Sequence, residues 1–297
     1  LGVSLVIFLI MAFTPGDPGS ILLGPGVLQV DIDQYNIELG YDRPIIERYF
    51  KYIYDAVFRF DFGISYATKL PVFKEVMTRV PISIAVSFNA MVCASLIGIP
   101  VGVLSAVKQY SLLDTIPTFL ALFLASVPAF WLGMMLMLLF SLKLGWLHTS
   151  GVETWKGYLM PMLALGLPYA AMQLRFTRSS MLETIRQDYV RTARAKGAAE
   201  RTVIWKHAMK NALLPIITII GVNFGALLGG AIVTETLFGI PGLGSFIVNG
   251  IKTKDVPVVM AGTITLAIIF SIIMLIVDLL YAFVDPRIKA KYSGRRD

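Results

Sequence analysis

The sequence is short of the groups that carry enzyme chemistry. One cysteine, Cys93, stands among 297 residues, which rules out a disulfide within the chain and a thiolate metal cluster. There are two histidines, His148 and His207, far apart and too few for a histidine-rich metal site. Charged residues make up only 15%. No GxxxxGK[ST] segment occurs, so the chain has no phosphate-binding loop of its own. No nucleophile-and-base pair stands out, which leaves a membrane-embedded enzyme without candidate catalytic groups.

What fills the space is apolar. Hydrophobic residues amount to 56% and the mean hydropathy is +0.73. A soluble domain of that composition would have an apolar surface, whereas lipid as solvent removes the conflict. Apolar runs cover roughly 82–107, 115–142, 159–174, 212–234 and 258–284, and the fourth ends abruptly at Arg175. Residues 1–13 are apolar too, but about 20 Å of helix is short for a hydrocarbon core of about 30 Å. They are read as the outer part of a first span whose beginning is missing, and not as a signal peptide, since no basic flank or cleavage site accompanies them. The expected fold is all-α: one membrane domain over 1–297 with six spans, the first truncated.

Orientation follows from lysine and arginine in the connections. Segments 108–114, 175–211 and 285–297 carry 15 Lys/Arg against 6 Asp/Glu, while 14–81, 143–158 and 235–257 carry 11 against 12. The first group is expected in the cytoplasm, with both termini, and the second outside. The net charge of +7 is then a topology signal, not a nucleic-acid footprint. The glycine-rich stretch 239–250 falls outside, where ATP is not supplied.

Two connections are more than turns. Segment 14–81 mixes Tyr49, Phe50, Tyr52, Tyr54, Phe58 and Phe60 with Arg48, Lys51, Asp55 and Arg59. That mixture suits a helix at the membrane surface, either a plain anchor or a platform for a soluble extracytoplasmic protein. In the loop 175–211, DYVRTARAKG (188–197) reads as a helix with Tyr189, Val190 and Ala193 on one side and Arg191, Arg194 and Lys196 mostly on the other. Gly197 is placed to end it. A second helix, AAERTVIWKHAMKNALLP (198–215), feeds the fifth span. The loop either fixes topology only or receives force from a cytoplasmic partner.

This loop resembles the cytoplasmic loop of binding-protein-dependent ABC importer permeases, with its Glu-Ala-Ala, three residues, Gly and a later Leu-Pro. Arg191 and Thr192 stand where that pattern has Glu and Ala, Ala193 agrees, and the interval from Gly197 to Pro215 is about one helical turn longer. Both departures resemble the peptide/nickel branch, so no role of the absent glutamate is carried over. Similarity to the first permease subunit of dipeptide and oligopeptide systems extends through PGDPG (15–19), RPIIERY (43–49), FGIS (62–65), FWLG (130–133), LGWL (144–147), ETLFGIPGLG (235–244) and DLLYAFVDPR (278–287).

The resemblance implies a homologous second permease, two cytoplasmic ATPase subunits that hold ATP and Mg, and an extracytoplasmic substrate-binding protein. The chain itself needs no cofactor or metal. Tyr189, Arg191, Ala193, Arg194, Gly197 and Glu200 become the residues that couple to an ATPase. Di- or oligopeptide is the expected cargo, and nickel chelate or glutathione the alternatives.

Other residues carry two readings each. Gly221, Gly225 and Gly229 form a small-residue ridge on the fifth span, for packing or for sliding. Asp278 is the acid well inside a span, read as pairing with an arginine of 175–211 in preference to touching substrate. Asn89, Gln173 and Asn223 either line a pathway or hydrogen-bond between helices. An ion-driven secondary transporter would call for inverted repeats and paired midplane acids, which the sequence does not display.

Overall fold

The computed structural model describes residues 2–284, and side chains as far as Leu279. Within it the chain is helical, with no strand beyond an isolated bridge between Ile64 and Pro71. The tail 285–297, with the DPR that closes the last motif, lies outside the described residues.

The helices in order are α1 (Gly2–Phe13), α2 (Pro18–Leu23), α3 (Gln29–Glu38), α4 (Ile45–Phe58), α5 (Val72–Val107), α6 (Leu112–Ser126), α7 (Ala129–Leu136), α8 (Leu159–Ile185), α9 (Asp188–Ala195), α10 (Glu200–Thr202), α11 (Met209–Leu237), α12 (Leu243–Lys252) and α13 (Val256–Val284). Wider π-type turns over Met137–Lys143 and Val203–Ala208 prolong α7 and join α10 to α11.

Every apolar run is helical, but two differ from expectation. The run 115–142 is not one straight span: α6 and the α7 segment meet at 102°. Val127 is extended there (φ −86°, ψ 126°) because the following Pro128 disfavours helix at the residue before it and brings no N–H of its own. The run 159–174 ends at Arg175 but its helix does not, since α8 continues to Ile185; an arginine ends an apolar run without ending a helix. Three described helices are long and apolar enough to cross a bilayer, four when the bent pair counts as one. Length and apolar composition thus do not by themselves reach six.

Two compact units divide the chain, one of residues 1–84 and 239–269, the other of 85–238 and 270–297. The first holds a core of Phe8, Met11, Tyr49, Val72, Val76, Leu243, Phe246 and Met260. Its sequence motifs do structural work. Asp17 of PGDPG caps α2, accepting from Ser20 N at 2.8 Å and Ser20 Oγ at 2.6 Å, with Pro18 in the first turn where a missing N–H costs nothing. Asn36 Nδ2 donates to the same carboxylate at 2.6 Å. Ser65 of FGIS donates to buried Asp255 at 2.6 Å, and buried Lys254 donates to the Thr14 and Gly16 carbonyls. In RPIIERY, Tyr49 Oη and Ser4 Oγ lie 3.0 Å apart, and the Arg48 guanidinium stacks 3.7 Å from the Tyr41 ring centre.

The second unit is organised around α8, which packs on α6, α7 and α11. Small residues set its distances. A Cβ on Gly98 would lie 2.6 Å from the Ala170 carbonyl, one on Gly102 2.7 Å from that of Leu174, and one on Gly166 2.9 Å from that of Ala90. Helices α5 and α8 therefore touch backbone to backbone, as small residues permit in membranes.

Candidate functional site

The segment that follows α8 is ordered from end to end. Asp188 begins α9 and Arg194 lies in its last turn, each favourable to the helix dipole. Gly197 has φ +80°, and Ala198 N donates to Ala193 O at 3.3 Å while Gly197 N donates to Arg194 O at 2.9 Å. That pair of bonds is a Schellman closure, which needs a left-handed residue at the position Gly197 holds. Arg194 then donates to both Glu200 oxygens, at 3.1 and 2.7 Å. The planar fork braces the turn between α9 and α10, and the Glu200 carboxylate beside it raises the Arg194 pKa.

One face of α9 is sealed. Val190 and Ala193 are buried in a cluster with Val103, Ala106, Met181, Val203, Ile204, Ala208, Ala212 and Ile216. Tyr189 is not on that face: it is 42% exposed, because it sits at the shoulder of a stripe that only Val190 and Ala193 define. Arg191 also points outward, toward Asp188 at 3.7 Å. Trp205, which nothing in the sequence marked, is 53% exposed in the neighbouring π-type turn. Tyr189 and Arg191 thus stand on the open side of α9, and Trp205 adds a second exposed aromatic on the turn after α10.

The remaining residues sort by burial. Gln173 is fully buried, its amide nitrogen 3.1 Å from Met91 Sδ, and Asn223 is 4% exposed. Both lie within helix packing and not on an open wall; Asn89 is half-buried on α5. A Cβ on Gly221 would lie 2.2 Å from Val277 Cγ2 and one on Gly225 2.7 Å from Phe270 Cε2, whereas Gly229 has nothing within 4 Å. The ridge is a packing surface for α13 at its first two positions and open at the third.

The expected partner for Asp278 is not found. Asp278 is exposed on α13 and makes no ion pair among the described residues. Among the described residues, the acid from outside 175–211 that pairs with an arginine of that segment is Asp114, which receives Arg178 Nε at 2.6 Å and Nη2 at 2.8 Å. Asp114, counted from the sequence among the charges of the connection 108–114, sits in the first turn of α6; nothing in the linear pattern places it against α8.

Comparison with known proteins agrees with this architecture. Residues 98–290 match the family described as binding-protein-dependent transport system inner membrane component. The chain belongs to that family. The glutathione transport system permease proteins GsiC of Escherichia coli (strain K12) and of Shigella dysenteriae serotype 1 (strain Sd197) are each 39% identical over 289 residues, covering 97% of this chain and 94% of theirs. Inward-facing structures of the MetNI methionine ABC transporter share the fold. One has a TM-score of 0.62 at 20% identity, covering 71% of this chain and 97% of its own. The protein is therefore a membrane-embedded permease component of a binding-protein-dependent ABC importer, in a family that works with ATPase and substrate-binding partners. The permease's helical tip after α8 and its broken α6–α7 span are two irregular elements of the second unit.

Proposed function

We propose that this permease is the first of two homologous permease subunits that together form the pathway of a peptide importer, with glutathione-like short peptides as the cargo class. The glutathione named in its relatives is a tripeptide, and their likeness runs through almost the whole chain. In this reading two cytoplasmic ATPase subunits bind ATP and Mg, an extracytoplasmic protein delivers substrate, and both termini lie in the cytoplasm.

The observation that carries the coupling role is the asymmetry of α9. Val190 and Ala193 anchor it to the helices behind, while Tyr189, Arg191 and Trp205 face outward. Exposed aromatics beside an arginine are the groups that dominate protein interfaces. An ATPase groove holding them moves α9, and the cluster behind transmits the motion as a rigid body. Ala193, Arg194, Gly197 and Glu200 build the element; they do not touch the partner. Exposed Phe50, Tyr54 and Phe58 on α4 support the docking of an extracytoplasmic protein. The exposed position of Asp278 favours contact with the pathway or the second permease.

The test is purification of the tagged permease in mild detergent, with mass spectrometry of what co-elutes. A second permease and two P-loop ATPases are expected, and a co-eluting binding protein loads reduced glutathione or dipeptides in preference to nickel chelates. A chain recovered alone and active in ion-driven uptake overturns the reading.

A further inference from the structure

The Asp114 carboxylate gathers parts of three helices. Arg178 of α8 grips both its oxygens, Ser105 Oγ donates from the last turn of α5, and Tyr110 N donates at 2.9 Å from the turn before α6. Tyr110 takes a left-handed conformation (φ +64°), so the turn is bent back to present its N–H. Asp114 itself is 4% exposed. The carboxylate also sits in the first turn of α6, where the helix dipole favours a negative charge.

The groups that hold this carboxylate are neighbours in sequence of the groups that hold α9. Ser105 lies between Val103 and Ala106, and Arg178 lies one helical turn before Met181; all three apolar residues belong to the same buried cluster as Val190 and Ala193. No described residue of α6 belongs to that cluster. Farther along, α6 meets α8 and α5 through Ala121 and Leu124 on Ala171, Leu174 and Val101. Apolar contacts of that kind are non-directional and fix the register of one helix on another less firmly than a directed bond does. A bidentate arginine fork does not slip, because separating it leaves a buried charge without its partner.

We infer that Asp114, gripped by Arg178, is the positioning residue that makes α6 move with the α9 element, so that force applied to α9 reaches the broken α6–α7 span. The inference rests on the coupling role proposed for α9. Beyond Val127 the chain turns by 102° into α7, where a Cβ on Gly133 would meet Leu237 and Phe238. A displacement of α6 therefore arrives at a tight contact with the far end of α11. Without the ion pair, α5, α8 and α9 still follow the ATPase, while α6 lags.

The test uses the complete transporter in proteoliposomes, with ATP hydrolysis and uptake measured on the same preparation. Asp114→Asn is expected to assemble with its ATPase subunits and to hydrolyse ATP at near the wild-type rate. Its uptake per ATP falls about 10-fold, within the range of allosteric coupling factors. Arg178→Lys, which keeps the charge and loses the fork, shows a smaller fall, and the exchange Asp114→Arg with Arg178→Asp recovers part of the loss. Hydrolysis and uptake falling in proportion, an unchanged ratio, or failure of both Asp114→Asn and Arg178→Lys to assemble assigns the pair to folding alone and overturns the inference. Gly197→Val is run alongside. If it uncouples while Asp114→Asn does not, the joint fails and the α9 role stands. If only Asp114→Asn uncouples, the α9 role fails, and the inference that force from α9 passes through Asp114 fails with it.

Discussion

Gly197 shows how much one backbone angle can decide. At φ +80° a β-branched residue pays a steric cost of about 1–2 kcal/mol, and the closure of α9 is the structure at stake. Gly197→Val is expected to reach the membrane and bind its ATPase partners while hydrolysis loses its link to uptake. Measured uptake equal to wild type argues against the assignment. Asp17 carries a different kind of constraint. Burial pushes its pKa up, but hydrogen bonds from Ser20 and Asn36 and the charge of Lys254 outweigh that, leaving it below its ordinary 3.8. A depressed carboxylate adds stability that is present above the ordinary value and is lost as pH falls through the folded one. Protection of Pro18–Leu23 from proteolysis should thus hold from about pH 7 down to about pH 5 and fail only in stronger acid. Asp17→Ala removes the cap, worth about 1 kcal/mol, and should expose that segment at neutral pH.

At the scale of elements, helix contacts are governed by glycine, and the sequence marks only some of them. The four-residue spacing of Gly221, Gly225 and Gly229 is visible by inspection, yet the structure separates two packed positions from an open one. Gly221→Leu and Gly225→Leu collide with Val277 and Phe270 and are expected to reduce the recovered complex several-fold, while Gly229→Leu leaves the fold of the chain intact. Gly98 and Gly102 have the same spacing and passed unnoticed, although they bring α5 against the α8 backbone. Gly102→Leu should be as damaging as Gly221→Leu, read from the yield of detergent-stable protein. The broken span was hidden for a related reason. Hydropathy is blind to direction, so Val127-Pro128 reads as apolar chain, and the 102° turn becomes visible only when the backbone is traced.

For the molecule as a whole, the charge asymmetry of the connections makes a prediction that the lone thiol helps to test. Cys93 is buried, so a membrane-impermeant thiol reagent has little background. Tyr54→Cys should label in intact spheroplasts, and Arg191→Cys only after the membrane is opened; the reverse pattern would invert the topology. Composition and hydropathy were enough to read an all-α membrane protein, the glycine after DYVRTARAK marked the end of α9, and the order of the motifs carried the likeness to importer permeases. These are properties of solvent preference and local backbone geometry, which act residue by residue along the chain. Which acid meets which arginine was beyond such a reading. Asp278 looked like the acid in need of a cation, and Asp114 like one of the charges of the connection 108–114, because the sequence records burial in lipid but not rotation about a helix axis. Packing turned Asp278 outward and folded Asp114 onto Arg178. A buried charge pairs with whatever the tertiary structure brings within about 3 Å, and sequence distance does not enter.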